Sequence, residues 1–168
     1  MISSWSGQSP ALSPAATFQA VLDFAENHRF ENCQIKRDVI DAMWRQTQSS
    51  ETLPYSLHKP GQPIYMTDYD LGRNNKAYLD TDTANYEYDQ SNHYTSWNQG
   101  WSYRNDGVDI EACTDSEQSN GYNVGWTSKG EWLQYTLIAD SIAAYTLTIR
   151  YSSGSTGGKI RMEILADD

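Results

Sequence analysis

Asn105-Asp106-Gly107-Val108-Asp109-Ile110-Glu111, followed by Asn120-Gly121-Tyr122-Asn123-Val124-Gly125-Trp126-Thr127-Ser128-Lys129-Gly130-Glu131-Trp132-Leu133-Gln134-Tyr135-Thr136, is the part of the chain from which the fold can be read. Val108, Ile110 and Ala112 alternate with Asp109 and Glu111, the period of two that puts one face of a β-strand inside and the other in water. The same alternation recurs at Tyr145, Leu147, Ile149 and Tyr151, and again at Ile160, Met162 and Ile164. Between these runs, Asn105-Asp106-Gly107, Ser128-Lys129-Gly130 and Ser152 to Gly158 carry the Gly and Asn of tight connections. Short strands separated by turns predict a mainly β chain, a β-sandwich or jelly roll. Trp and Tyr set among turn residues and isolated carboxylates also suit a surface that holds sugar rings. An aromatic face covers the C–H face of a pyranose while polar neighbours bond its hydroxyls.

Outward from this stretch, composition divides the chain. Eleven of the twelve Tyr lie from Tyr65 onward, and residues 64–168 carry 16 Asp and Glu against 7 Lys and Arg, while the first 63 residues carry 6 against 5. So acidic a second part repels phosphate backbones, which excludes nucleic acid and leaves neutral glycans compatible. No run approaches the ~20 apolar residues that span a bilayer. Cys33 and Cys113 fall in different halves and read as unpaired thiols, and with His28, His58 and His93 the only histidines a zinc site has little support.

Toward the N-terminus the period changes. Ser13-Pro14 offers an N-cap and a proline at the first helical position, and Phe18, Val21, Leu22 and Ala25 then recur with helical spacing to about His28. A second helix is predicted from about Ile35 to Gln46, with Ile35, Val39, Ala42 and Met43 on one stripe and Asp41 and Arg45 as an i, i+4 pair. Two such helices have too little mutual surface to stand alone. Pro54, Pro60, Gly61 and Pro63 mark a linker. The expected organisation is a helical segment over 1–48, a linker over 49–63 and a β-sandwich over 64–168.

Five pieces in order give the third part a family likeness: Asp68-Tyr69-Asp70-Leu71-Gly72, Tyr103 to Glu111, Gly121 to Trp126, Gly130 to Tyr135, and Gly157-Gly158-Lys159-Ile160. Together they resemble a family 6 carbohydrate-binding module. The resemblance implies a noncatalytic β-sandwich, appended to polysaccharide-degrading enzymes, that binds a plant or algal β-glycan of the xylan, β-glucan or agarose type. It implies two ligand surfaces. In a cleft at one end of the sandwich, Trp126 takes the place of the flanking aromatic, with Glu111 and Thr114 as polar contacts; on the concave sheet face, Trp132 takes the place of a stacking aromatic. Read from the residues alone, Trp132 is either such a platform or a core aromatic, and Glu111 either a contact or a solvated carboxylate. Trp97 and Trp101 either pack their insert or extend the platform. The family's cleft also draws on strands beyond Ile164, so the module is expected to be incomplete at its C-terminus.

Many relatives hold a structural Ca²⁺ through two glutamates of the first strand. Tyr65 and Thr67 stand at those positions here, which leaves Asp68 and Asp70 as the weak candidates for a metal. The helical segment resembles, more loosely, the C-terminal end of a family 5 glycoside hydrolase through Asp38-Val39-Ile40-Asp41-Ala42-Met43 and Asn32-Cys33. The sequence-based reading is therefore a monomeric, exported glycan-binding module attached to a glycoside hydrolase, with its signal peptide outside this chain and no catalytic site within it. The competing readings are a fragment of a hydrolase acting on β-glucan or cellulose, for which Asp80 and Asp82 offer a carboxylate pair, and a structural or protein-interaction sandwich without glycan affinity.

Overall fold

The computed structural model describes residues 12–81, 103–104, 106–115 and 119–165. Trp97, Trp101, Asp82 and Asn105 lie outside the described residues.

Helix α1 spans Pro14–Asn27 and starts as its sequence predicts: the Ser13 hydroxyl accepts from the Ala16 amide at 3.2 Å, and Pro14 stands where a missing N–H costs nothing. None of its residues is buried; Phe18, Val21, Leu22 and Phe24 are exposed. Helix α2 spans Arg37–Trp44, shorter than the predicted stretch by about half a turn at each end. The expected Asp41–Arg45 pair forms, Nε and Nη2 of Arg45 donating to the carboxylate at 2.5 and 2.6 Å. The buried side of α2 reverses the hydrophobic pattern, because Asp38 and Asp41 are buried while Ile40, Met43 and Trp44 are exposed. Polar bonds decide that orientation: Arg45 also donates to the carbonyls of Glu51 and Leu71, and Arg37 to that of Tyr55.

Within the proline-marked stretch 49–63, expected as a linker, residues 52–58 lie along the β part. Leu53 and Leu71 exchange backbone bonds at 3.0 and 2.7 Å, and the Ile138 amide donates to the His58 carbonyl at 2.9 Å. Gln134 Nε2 donates to Thr52 Oγ1 at 3.0 Å.

Among the described residues the β part holds two antiparallel ribbons. Strand β1 (Tyr78–Leu79) pairs with β4 (Trp132–Leu133), Tyr78 opposite Leu133 and Leu79 opposite Trp132. Strand β2 (Ile110–Ala112) pairs with β3 (Tyr122–Val124), Ile110 opposite Val124 and Glu111 opposite Asn123. The second ladder continues past both ends, from Cys113 N to Gly121 O at 2.8 Å and from Gly125 N to Asp109 O at 2.9 Å. Gly107 and Gly130, with φ of 102° and 100°, supply the left-handed backbone that the turns before β2 and β4 need. Both ribbons feed one core of Tyr69, Ala77, Tyr78, Val108 and Ile110, against which Tyr103, Tyr122, Val124, Leu133 and Tyr135 pack half-buried. Among the described residues the fold is mainly β, preceded by two α-helices.

Tyrosines fill this core because a buried charged network receives their hydroxyls. Arg104, 1% exposed, lies with Cζ 3.6 Å from the ring centre of Tyr69 and 4.5 Å from that of Tyr55. Its guanidinium donates to Asp106 at 2.7 and 3.1 Å and to the carbonyls of Thr67, Tyr69 and Asp70. Tyr69 donates to the Asp106 carboxylate and Tyr78 to the Asp106 carbonyl. Burial pushes the Tyr69 phenol well above its ordinary value, and the Asp106 carboxylate pushes it further, so it remains a donor.

Two expectations need correction. Residues 145–151 and 160–164, whose alternation predicts strands with one buried face, form no strand, and Tyr145, Leu147, Tyr151, Ile160, Met162 and Ile164 are all exposed. Alternation puts apolar side chains on one side of a segment, but a strand also needs a neighbour for its N–H and C=O groups. None of the described residues lies alongside either segment in a ladder.

Candidate functional site

The β2–β3 ribbon positions most of the residues proposed for a cleft. Trp126 follows β3 at the end where the Gly125 amide donates to Asp109, and its side chain is 48% exposed. Its φ of 43° lies in the left-handed region, where a bulky L-residue is rare. Such a backbone costs on the order of 1–3 kcal/mol, and it persists here because the ladder holds the residues on its N-terminal side. The residue on this backbone, at the end of a strand, is about half exposed.

Glu111 stands in the middle of β2, half-buried, and accepts from Asn123 Nδ2 at 2.9 Å across the ribbon. Gly125 makes room for it: a methyl group on Gly125 would lie 3.3 Å from Glu111 Oε1. Glu111, Asn123 and Gly125 thus meet across the ribbon, with Glu111 Oε2 and Asn123 Oδ1 accepting from no other described residue. Thr114 is exposed but lies beyond Cys113, at the other end of the ladder from Trp126. Glu111 stands in the middle of the ladder, with Trp126 beyond one end and Thr114 beyond the other.

Trp132 belongs to the other ribbon. Its neighbour Leu133 points to the core, so the pleat sends Trp132 outward, 38% exposed. Of the two readings open in sequence, core aromatic and surface platform, the surface position is the one realised. The turn in front of it is clamped by Glu131, whose carboxylate accepts from the Ser128 amide at 2.6 Å and from Thr81 at 2.7 and 3.1 Å. Burial would raise the Glu131 carboxyl, but these bonds outweigh it and hold it below the ordinary value.

Asp68 and Asp70, the candidates for a metal, are already engaged. Asp70 is fully buried and accepts from the Thr136 amide, the Thr136 hydroxyl and Gln134 Nε2 at 3.0, 2.8 and 3.1 Å. Asp68 accepts from the Tyr103 hydroxyl, which burial and that carboxylate together raise far above the ordinary phenol range. Among the described residues, no group of three or more His, Cys, Asp or Glu side chains converges as an ion would require. Asp80, one half of the carboxylate pair considered for hydrolysis, is buried and accepts from the Asp109 amide at 3.4 Å.

Asn123 is the residue that sequence reasoning passed over. Its signal was present, since a hairpin register that pairs Ala112 with Tyr122 also sets Glu111 opposite Asn123.

Comparison with known proteins adds one match. The sequence model of the family carbohydrate binding module (family 6) matches residues 99–167. No curated protein and no solved structure matches the chain. The matched residues include β2, β3, β4 and all four residues named for sugar contact. The helical segment and residues 49–63 lie outside the match.

Proposed function

With residues 99–167 identified as a family 6 carbohydrate-binding module, whose general role is noncatalytic carbohydrate binding, we propose that this one holds a β-glycan of the xylan, β-glucan or agarose type against Trp126. The observation that carries the proposal is the half-exposed Trp126, set on left-handed backbone at the end of the ribbon that holds the Glu111–Asn123 pair. A sugar ring stacks on the indole, and the acceptors of Glu111 and Asn123 take its hydroxyl protons. A stacked ring adds on the order of 1 kcal/mol, by analogy with aromatic pairs, so a few contacts give the weak binding that a tethered module requires. Trp132, on the β1–β4 ribbon, offers a second stacking surface. The module works as an exported targeting unit for an attached glycoside hydrolase, a reading supported by the loose likeness of Asp38 to Met43 to such an enzyme.

Affinity electrophoresis and calorimetry of the chain against xylan, mixed-linkage glucan, cello-oligosaccharides and agarose test this. Binding to at least one polymer, lost in Trp126→Ala with the circular dichroism unchanged, is the expected result. Hydrolysis of the polymer by the chain would instead favour the glycosidase reading, and absence of any binding the structural one.

A further inference from the structure

Two kinds of hydrogen bonding meet at Arg37. Before it, residues 12–35 are all exposed, and among the described residues the bonds of 13–33 stay local. The Ser13 cap reaches Ala16, Asn32 Nδ2 donates to the Glu26 carbonyl at 2.8 Å, and the Cys33 amide donates to the Phe30 carbonyl at 3.1 Å. From Arg37 onward the partners are distant in the chain. Arg37 donates to the Tyr55 carbonyl at 2.6 Å, with Cζ 5.7 Å from the Tyr55 ring centre, and the same ring lies 4.5 Å from Cζ of the buried Arg104. Arg45 reaches the carbonyls of Glu51 and Leu71. Leu53 then pairs with Leu71, and Ile138 donates to His58.

Helix α2 has eight residues, too few to persist alone in water, so these contacts are what keep it helical. Its docking stripe is polar: Asp38, Asp41 and Arg45 recur at i, i+3 and i+7, with both carboxylates buried. A buried carboxylate needs donors, and Asp41 takes them from Arg45 and Gln46. We infer that the folded unit of the module begins at Arg37, with α2 clasped onto it through Arg37 and Arg45, and that the joint of the chain lies in residues 28–36 instead of the proline-marked 49–63. Helix α2 then keeps a fixed attitude to the ribbons, and α1 turns about 28–36. The family match, which starts at residue 99, gives no sign of this clasp, and the inference does not rest on the sugar site.

Amide hydrogen exchange of the full chain, resolved by residue, tests it. The amides of Arg45, Leu53 and Ile138 are expected to exchange within about tenfold of Cys113 and Gly125 in the β2–β3 ladder, and those of His28 and Cys33 on the order of a hundredfold faster. Arg45→Met leaves the Asp41 carboxylate buried without its cation and should speed exchange in α2 and at Leu53 about tenfold or more. Arg37→Met leaves no buried charge behind and should act in the same direction by less, which keeps the test readable where Arg45→Met does not fold. An Arg45 amide as fast as that of His28, with Cys113 and Gly125 still protected, would make α2 a free appendage and overturn the inference. Fast exchange at Leu53 and Ile138 would return the joint to 49–63 and overturn it too, as would two arginine variants that leave α2 unchanged.

Discussion

Arg104 and Asp106 form a largely buried ion pair, Nη2 to carboxylate 2.7 Å, with the guanidinium fully buried and stacked over Tyr69. Removing one member of such a pair leaves an uncompensated buried charge, which costs about 3–5 kcal/mol. Asp106→Asn and Arg104→Met are therefore expected to lower the unfolding midpoint in urea sharply, and Arg104→Lys to recover only part of the loss, because an ammonium cannot reach Asp106 and three carbonyls from one plane. A midpoint unchanged in Arg104→Met would show that the pair does not hold the core.

Trp126 couples a binding prediction to a stability prediction. Replacing it by Ala or by Gly removes the indole, and both variants should lose roughly 5- to 30-fold in glycan affinity, or about 1–2 kcal/mol. They should differ in stability. With φ at 43°, glycine meets no Cβ penalty, so Trp126→Gly is expected to be more stable than Trp126→Ala by about 0.5–1 kcal/mol in denaturant unfolding. The opposite order would mean that the left-handed backbone is not retained.

Gly72 is packed rather than flexible. A methyl group there would stand 2.8 Å from the Cβ of the fully buried Ala77 and 3.3 Å from Thr52 Cγ2. Gly72→Ala should cost about 1–3 kcal/mol through overpacking. Adding Ala77→Gly removes the closer clash and should return part of that stability, a coupling that thermal melts of the single and double variants will read.

Acid sensitivity follows from two carboxylates held below their ordinary values. For Asp41, burial raises the carboxyl, but the bonds from Arg45 and Gln46 outweigh it; for Glu131, the bonds from Ser128 and Thr81 do the same. A lowered folded value means that each adds stability fully present above the ordinary carboxylate range and lost as pH falls through the folded value, below about pH 4. Asp41→Asn and Glu131→Gln should be less stable than the parent near neutrality, with melting curves that converge on the parent's as pH drops toward about 3. Parallel curves across that range would exclude these carboxylates as the source.

Much of the local structure was legible in the chain. Ser13-Pro14 started a helix where capping chemistry requires one, and Asp41 met Arg45 one turn on. Gly107 and Gly130 turned the backbone where the turn signals stood. The surface position of Trp132 was not legible, because alternation gives the period of a strand and not which face turns inward. Nor was the burial of Asp38 and Asp41, since hydrophobic patterning counts apolar residues and takes no account of an arginine that reaches distant carbonyls. Thr114 was grouped with Trp126 by likeness to a family, and the ladder that separates them is visible only once Gly121 is seen opposite Cys113.

Sequence by itself determined the kinds of segment present, since helix caps, turn glycines and side-chain period act over a few neighbouring residues. It also determined the acidic, tyrosine-rich character of the β part. Only tertiary structure decided which of those segments became strands, which tryptophans faced water, and which charges were buried together. Ladder partners, facing core surfaces and counter-charges come from residues distant in the chain: Arg104 meets Tyr69 and Tyr55, and Gln134 meets Thr52, because the fold closes on them and not because their spacing foretells it.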